Sequence, residues 1–430
     1  MKLKFIVLLL VSSLATFGQR VPESLESKKL KEKRDFTVVL PQNYESNPEK
    51  KYPVLVLLDG DYLLNPFEGI LKYGNYWDDL PEMIIVSIFQ GQNEARYSDS
   101  EFDQGGFPGG SGANFFEFLG MELLPYVEKK YRTQPFRVIA GHDTTAGFLN
   151  TYLYKDNPVF NGYISLAPEM ALDMEKRVAE RLALITKPIF YYQAVAEGDD
   201  QKTKDKFIAL NQNIRAISNP KFKYSSEEIL KTTHYSMVAQ AIPSALYFIF
   251  DGYQPISMTE FQTKIIKLDK GYAQYLIDKY TNLQEKLTLD IKPRLSDFKA
   301  IEAAILKNKA YPELQELSKY AEKHYPKTTL SVYHQALYYE KMGEFKKAVK
   351  EYKKAFVKDV LAEIKDDKPH YNTLSTIIRN LEDKGYVGYN AYGKTHQYYP
   401  IVSKEDYKKR FMTVAIDNYF NNSYKNVVSF

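Results

Sequence analysis

The chain has no cysteine in its 430 residues. Disulfides, thiolate nucleophiles, cysteine metal ligands and a lipid-modified cysteine behind a leader are therefore excluded. No metal-ligand cluster and no dinucleotide fingerprint occurs, so no cofactor is expected. The glycine-rich stretch from Gln104 to Gly112 lacks the lysine and the spacing of a phosphate-binding loop, and it reads as a flexible lid or rim loop. Strong charge of one sign is missing as well. A net charge of +4 is small for this length and gives no global argument for nucleic acid or anionic membranes, although a local patch can still exist. The one long apolar run, Phe5 to Leu14, is too short to span a bilayer comfortably.

What is present is a globular composition, 44% hydrophobic and 26% charged, in a chain long enough for roughly two to four units. Tyrosine (36 copies) and phenylalanine (25) are abundant, which suits packed helices and an ordinary aromatic core. The N-terminus has a secretory-leader pattern. Lys2 and Lys4 precede the apolar run, and Ser12, Ser13, Ala15 and Gly18 lead to an expected cleavage near Gln19. The expected location is the periplasm or the exterior.

Apolar runs bounded by turn residues predict strands at 34–41, 53–58, 83–88, 136–140 and 188–194. Helical periodicity lies between them, at 114–130, 145–154 and 202–217. This alternation predicts an α/β domain with a mostly parallel sheet. After about residue 255 the strand signals stop. Helical patterns rich in Lys, Glu, Tyr and Leu follow, and Ala336, Tyr339, Gly343, Phe345, Ala348, Tyr352 and Ala355 fall in the register of a tetratricopeptide helix pair, with Ala321 and Pro326 ending a preceding one. An ordinary helical hairpin fits the same residues.

The segment Arg137 to Phe148 has the form of a nucleophile elbow, in which a sharp strand-to-helix turn lifts one side chain. Gly141 supplies the first glycine, Asp143 occupies the apex, and Thr145 stands at the second small position. With Tyr52 to Asp61, Glu122 to Val127, Tyr131-Arg132-Thr133 and Thr233 to Val238, the chain from about 34 to 253 resembles the esterase D and enterochelin-esterase-like branch of the α/β-hydrolases. The resemblance implies an α/β-hydrolase fold and a small-molecule ester or peptide-like ligand. It makes His234 the general base. An orienting acid belongs after the strand at 188–194, where Glu197, Asp199 and Asp200 are available and Glu197 is preferred. The oxyanion hole takes the backbone N–H of Thr144 and a second N–H near Asp61.

Aspartate at the apex departs from that family. Histidine activates a serine hydroxyl by taking its proton. A carboxylate needs no such help, but it attacks an ester carbonyl weakly and would leave an anhydride. Aspartate attacks alkyl carbon productively in epoxide hydrolases and haloalkane dehalogenases, and Gly141-His142-Asp143 matches the opening of their elbow, whereas Thr144-Thr145 does not match the continuation. A β-branched Thr145 is expected to crowd the turn. Three readings follow: a hydrolase fold kept for binding or scaffolding; a hydrolase using Asp143 on alkyl carbon or as a base for water; and a residual esterase using water activated by His234.

From about Ala355 onward a second pattern appears: Phe356 to Ile364, Tyr371 to Val387, Gly393 to Pro400 and Ser403 to Tyr407. These blocks resemble the BlaI/MecI-type penicillinase repressors. The resemblance implies a winged helix-turn-helix, with Thr373, Ser375, Thr376 and Arg379 facing a major groove and Lys394 on the wing near phosphate. Glu344 to Lys354, where that family has its first helix, falls instead to the tetratricopeptide pattern. The expected organisation is a leader over 1–19, a hydrolase domain over 20–257, a helical extension over 258–354 that can dock a protein partner, and a partial winged-helix segment over 355–430. DNA is a partner only if this last segment works in the cytoplasm.

Overall fold

The structure is a computed structural model that describes residues 19–91, 94–326, 328–352, 370–383, 387–392 and 395–400. It divides into two compact units: residues up to Pro255 with Lys279–Ile291, and Ile256–Asp278 with residues from Lys292 onward.

The first unit is an α/β-hydrolase fold built on an eight-stranded sheet. In chain order its elements are β1 (Arg20–Ser27), β2 (Glu32–Val39), β3 (Tyr52–Leu57), α1 (Gly60–Tyr76), β4 (Ile84–Ile88), α2 (Ala95–Asp99), α3 (Gly110–Glu117), α4 (Leu124–Lys130), β5 (Thr133–His142), α5 (Thr144–Leu149), β6 (Gly162–Leu166), α6 (Met174–Ala183), β7 (Ile189–Ala196), α7 (Gln201–Arg215), β8 (Phe222–Ile229) and α8 (Ser236–Ile249). The spatial order is β1-β2-β4-β3-β5-β6-β7-β8. β2 runs antiparallel to β1 and to β4, and every other pairing is parallel.

Burial explains which strands the sequence reveals. β3, β4 and β7 are buried along their whole length and read as unbroken apolar runs. The edge strands β1 and β8 alternate or stay half-exposed and carry many polar residues, so they give no run to detect. β6 is fully buried but only five residues long, and it includes Gly162 and Ser165. The helix expected over 114–130 is continuous, with a π-helical stretch at Phe118–Leu123 between α3 and α4.

The glycine-rich stretch is a pinned rim loop. Asp103 Oδ1 accepts the backbone N–H of Gly105 and of Phe107, at 2.8 and 3.0 Å. The Arg177 guanidinium donates to the carbonyls of Gly105 and Gly106 and lies 4.2 Å from the Phe107 ring centre. Gly106 adopts φ 76°, and a Cβ there would stand 2.5 Å from the Leu172 carbonyl oxygen, so glycine is required.

The second unit contains α9 (Met258–Thr263), the first part of α10 (Tyr272–Leu287), α11 (Leu295–Lys307), α12 (Glu313–His324), α13 (Leu330–Lys341), helical turns at 345–352 and α14 (Tyr371–Asp383), followed by the hairpin β9 (Val387–Tyr392) and β10 (Thr395–Pro400). Its helical core holds Phe298, Ile301, Ile305, Leu314, Leu317 and Ala336. Gly343, at φ 76°, ends the turn between α13 and the helix at 345–352. Ala336 and Ala348 are buried, as a close helix pair needs, whereas Phe345 is exposed rather than filling the gap between the helices. Ala355 lies outside the described residues.

Candidate active site

β5 runs through the sheet centre and ends at His142, and the chain turns sharply into α5. Asp143 makes the turn at φ 60°, ψ −118°, a backbone region that side-chain-bearing residues rarely enter. Three hydrogen bonds hold it there. The Asp143 N–H donates to the Leu166 carbonyl at 2.8 Å, and the Asp143 carbonyl accepts the N–H groups of Gly147 and Glu169, each at 3.0 Å. Gly147 is obligatory, because a Cβ there would lie 1.8 Å from the Glu169 carbonyl oxygen.

Thr145 does not crowd the turn. It is fully buried, and its hydroxyl serves as a strut. The oxygen accepts the His142 N–H at 3.0 Å and donates to Asp59 Oδ2 at 2.5 Å. A Cβ at Gly141 would lie 2.7 Å from that same hydroxyl oxygen. The space beside the β-branched residue thus comes from the glycine four positions earlier.

Asp59 ends the run after β3 at φ 53° and precedes α1. It is buried and is compensated by Arg96 of α2, whose Nε donates to Asp59 Oδ1 at 2.6 Å. The same guanidinium donates to the His142 carbonyl at 2.8 Å and to Asp143 Oδ2 at 3.2 Å. Burial opposes charge on Arg96, but the hydrogen bond and the charge of Asp59 outweigh it and raise its pKa. α2 is itself anchored from behind. Asp99 takes Arg34 of β2 in a buried ion pair and accepts from Gln90 Nε2, while Gln90 Oε1 accepts the Asp59 N–H.

His234 lies between β8 and α8. Its Nδ1 meets Asp199 Oδ1 at 2.6 Å, and this hydrogen bond raises the imidazole pKa above the ordinary value, against some desolvation. The carboxylate that meets the His234 ring is Asp199, not Glu197, the one preferred from the sequence. The chain turns after β7 so that Asp199 Oδ2 accepts the Ala196 N–H at 2.7 Å, which buries that carboxylate beneath the histidine. Glu197 accepts the Lys231 N–H at 2.6 Å instead and steadies the histidine loop. Asp200 caps α7 through Thr203.

The His142 ring bridges the two halves. It packs against the His234 ring with centroids 4.4 Å apart and the planes tilted by 40°, and it accompanies Asp143 at the elbow. Thr144 and Asp61 sit in the first turns of α5 and α1, where backbone N–H groups have no acceptor within the helix. Their side chains are engaged elsewhere: Thr144 donates to Glu169 Oε2 at 3.0 Å, and Asp61 accepts the N–H groups of Gln90 and Gly91. Among the described residues His234 forms no hydrogen bond to Asp143, and no group of acidic residues and histidines is arranged to hold a metal. Asp59, Arg96, Tyr62 and His142 were not singled out from sequence as site residues. Only the burial of Asp59 and its pairing across thirty-seven residues disclose them.

Residues 27–168 match the family model described as "Putative esterase". That stretch includes the elbow and stops short of Asp199 and His234. An uncharacterised protein from Capnocytophaga ochracea is similar in structure at TM-score 0.73 and 28% identity, over 85% of this chain and all of that one. An IroE-like serine hydrolase from Shewanella oneidensis shares the fold at TM-score 0.55 and 19% identity, over 71% of this chain and 99% of that one. No curated protein matches the chain.

Residues 343–430 match the penicillinase repressor family model. The match starts ahead of Ala355 and takes in 344–354, the stretch that the sequence assigned to the tetratricopeptide pattern. In α14, Leu374 and Ile378 are buried, while Thr373, Thr376 and Arg379 are exposed at spacings of three along one face. The β9–β10 hairpin follows in the place of a wing. Lys394 and the side chain of Ser375 lie outside the described residues.

Proposed function

We propose that this chain is an exported protein whose esterase-type cleft binds a small-molecule ester or peptide-like ligand, with ester hydrolysis weakened, altered or lost. The observation that carries this reading is Asp143 at the elbow apex, its carboxylate bonded to Arg96. A carboxylate offers no proton for His234 to remove, so the His234–Asp199 pair has no nucleophile to activate. The ion pair with Arg96 at Oδ2 stabilises the carboxylate charge and so lowers its nucleophilicity toward alkyl carbon, which weighs against that alternative. Water activated by His234 remains the route for residual turnover. On this reading residues 1–19 are a leader, 20–257 the binding domain, and 258–354 a helical extension for docking a protein partner.

The test is hydrolysis of short nitrophenyl esters by the wild type and by Asp143→Ser. Turnover by the variant alone supports an intact but disarmed site. Strong wild-type turnover that His234→Ala abolishes overturns the reading.

A second reading is favoured by the exposed row Thr373, Thr376 and Arg379 on α14 within the repressor-like segment. In it the chain binds a DNA operator as a cytoplasmic regulator. Fractionation of the native protein separates the two: full-length material in the periplasm supports the first, and in the cytoplasm the second.

A further inference from the structure

His142 immediately precedes the elbow apex and is almost completely buried, yet both of its ring nitrogens are engaged. Nδ1 stands 2.9 Å from the Tyr62 hydroxyl, and Nε2 stands 3.2 Å from the backbone carbonyl of His234. A carbonyl oxygen can only accept, so Nε2 carries the hydrogen. Burial and the neighbouring His234 imidazole push the His142 pKa down to about 4, so the ring is neutral near pH 7. Nδ1 then keeps its lone pair, and Tyr62 must donate to it. The result is a polarised connection running from Tyr62 on α1, through the ring, to the main chain of His234.

Among the described residues, the His234 loop's other hydrogen bonds run to the turn after β7, to the end of β8 and to the start of α8. Gly198 donates to the Thr232 carbonyl, Lys231 donates to Glu197, and Thr233 donates to Ser236 Oγ. The bond from His142 joins this loop to the elbow. Facing the same ring are the charged or titratable groups Asp59, Asp143 and His234, with Arg96 on the His142 carbonyl, and the edge of Tyr235 closes the outer side.

We infer that His142 is a positioning residue that fixes the distance between the elbow and the His234 loop, and so keeps the imidazole seated on Asp199 beside residue 143. The inference rests on the proposed site only in taking His234–Asp199 as its working pair. Its readout is the titration of His234 itself, which needs no turnover.

The experiment is nitrogen-15 NMR titration of the full-length protein labelled at histidine. In the wild type, His234 titrates above the ordinary histidine value and His142 stays in the Nε2–H tautomer. In His142→Leu the His234 midpoint falls toward the ordinary value by roughly half a unit or more, because the loop loses its tie to the elbow. His142→Gln presents an amide that can accept from Tyr62 and donate to the His234 carbonyl, and it retains the wild-type midpoint. Tyr62→Phe leaves His142 in the Nε2–H tautomer, because the His234 carbonyl still accepts from Nε2. A folded His142→Leu protein whose His234 titrates as in the wild type overturns the inference alone. If His142→Leu does not fold, a wild-type His142 found in the Nδ1–H tautomer, which has no Nε2 hydrogen to give the His234 carbonyl, overturns it. A wild-type His234 at the ordinary value overturns both the inference and the site.

Discussion

Arg96 binds Asp59 and Asp143 at once, through Nε at 2.6 Å and through a terminal nitrogen at 3.2 Å. The first partner is buried and the second is one-third exposed, so the guanidinium joins a structural carboxylate beneath the elbow to the carboxylate at its apex.

Removing the guanidinium leaves Asp59 charged and buried with only the Thr145 hydroxyl and Tyr62 nearby. Breaking a buried pair from one side costs about 3–5 kcal/mol. Arg96→Ala is expected to lower stability on that scale, measured by urea unfolding, and Arg96→Ala combined with Asp59→Asn to recover much of the loss. Additive losses in the double variant would show that the pair is not the source.

Thr145→Val keeps the shape of the side chain and removes its hydroxyl. The His142 N–H loses an acceptor and Asp59 Oδ2 loses a donor, both in buried surroundings. The expected cost is about 1–3 kcal/mol, measured by thermal and urea unfolding. Thr145→Ser, which keeps the hydroxyl, is expected to stay close to wild type.

The two site histidines act in different pH windows. His142 has its folded pKa depressed to about 4 from the ordinary 6.5. Between those values the unfolded chain binds a proton that the folded chain refuses, so stability falls as pH drops through the window, by roughly 3 kcal/mol in all. His234 has a raised folded pKa. Its contribution is fully present below 6.5 and disappears as pH rises through the folded value. Unfolding free energies from pH 4 to 9 are expected to be flatter below 6.5 in His142→Gln and flatter above it in Asp199→Asn.

For the repressor-like segment, Arg379→Ala is expected to weaken retention on an operator duplex at physiological salt and to reduce the dependence of binding on salt. Wild-type protein that shows no retention at any salt concentration removes the DNA-binding reading.

The parallel centre of the sheet was legible because strands buried on both faces leave unbroken apolar runs, as at Val54 to Leu58 and Met83 to Ile88. β1 and β8 were not, since an edge strand needs little apolar surface. The sharp turn at Asp143 and the loop position of His234 were legible from the residues around them. The choice between Glu197 and Asp199 was not, because both follow β7 within a few residues, and only the fold of that turn decides which carboxylate goes inward. Arg96 lies on a five-residue helix with no periodicity to notice, and its importance comes from partners distant in the chain. Thr145 was misjudged by the volume of its side chain, when its hydroxyl and the nearby Gly141 decide the fit.

The backbone at Asp143 is held in a conformation that costs a side-chain-bearing residue about 1–3 kcal/mol, and glycine would adopt it freely. A scaffold with no use for a group at this point would gain stability from glycine. The carboxylate is therefore carried against the local preference of the chain, at the turn between β5 and α5. On the proposed ligand-binding reading, Asp143→Gly is expected to raise stability in urea unfolding and to weaken ligand binding.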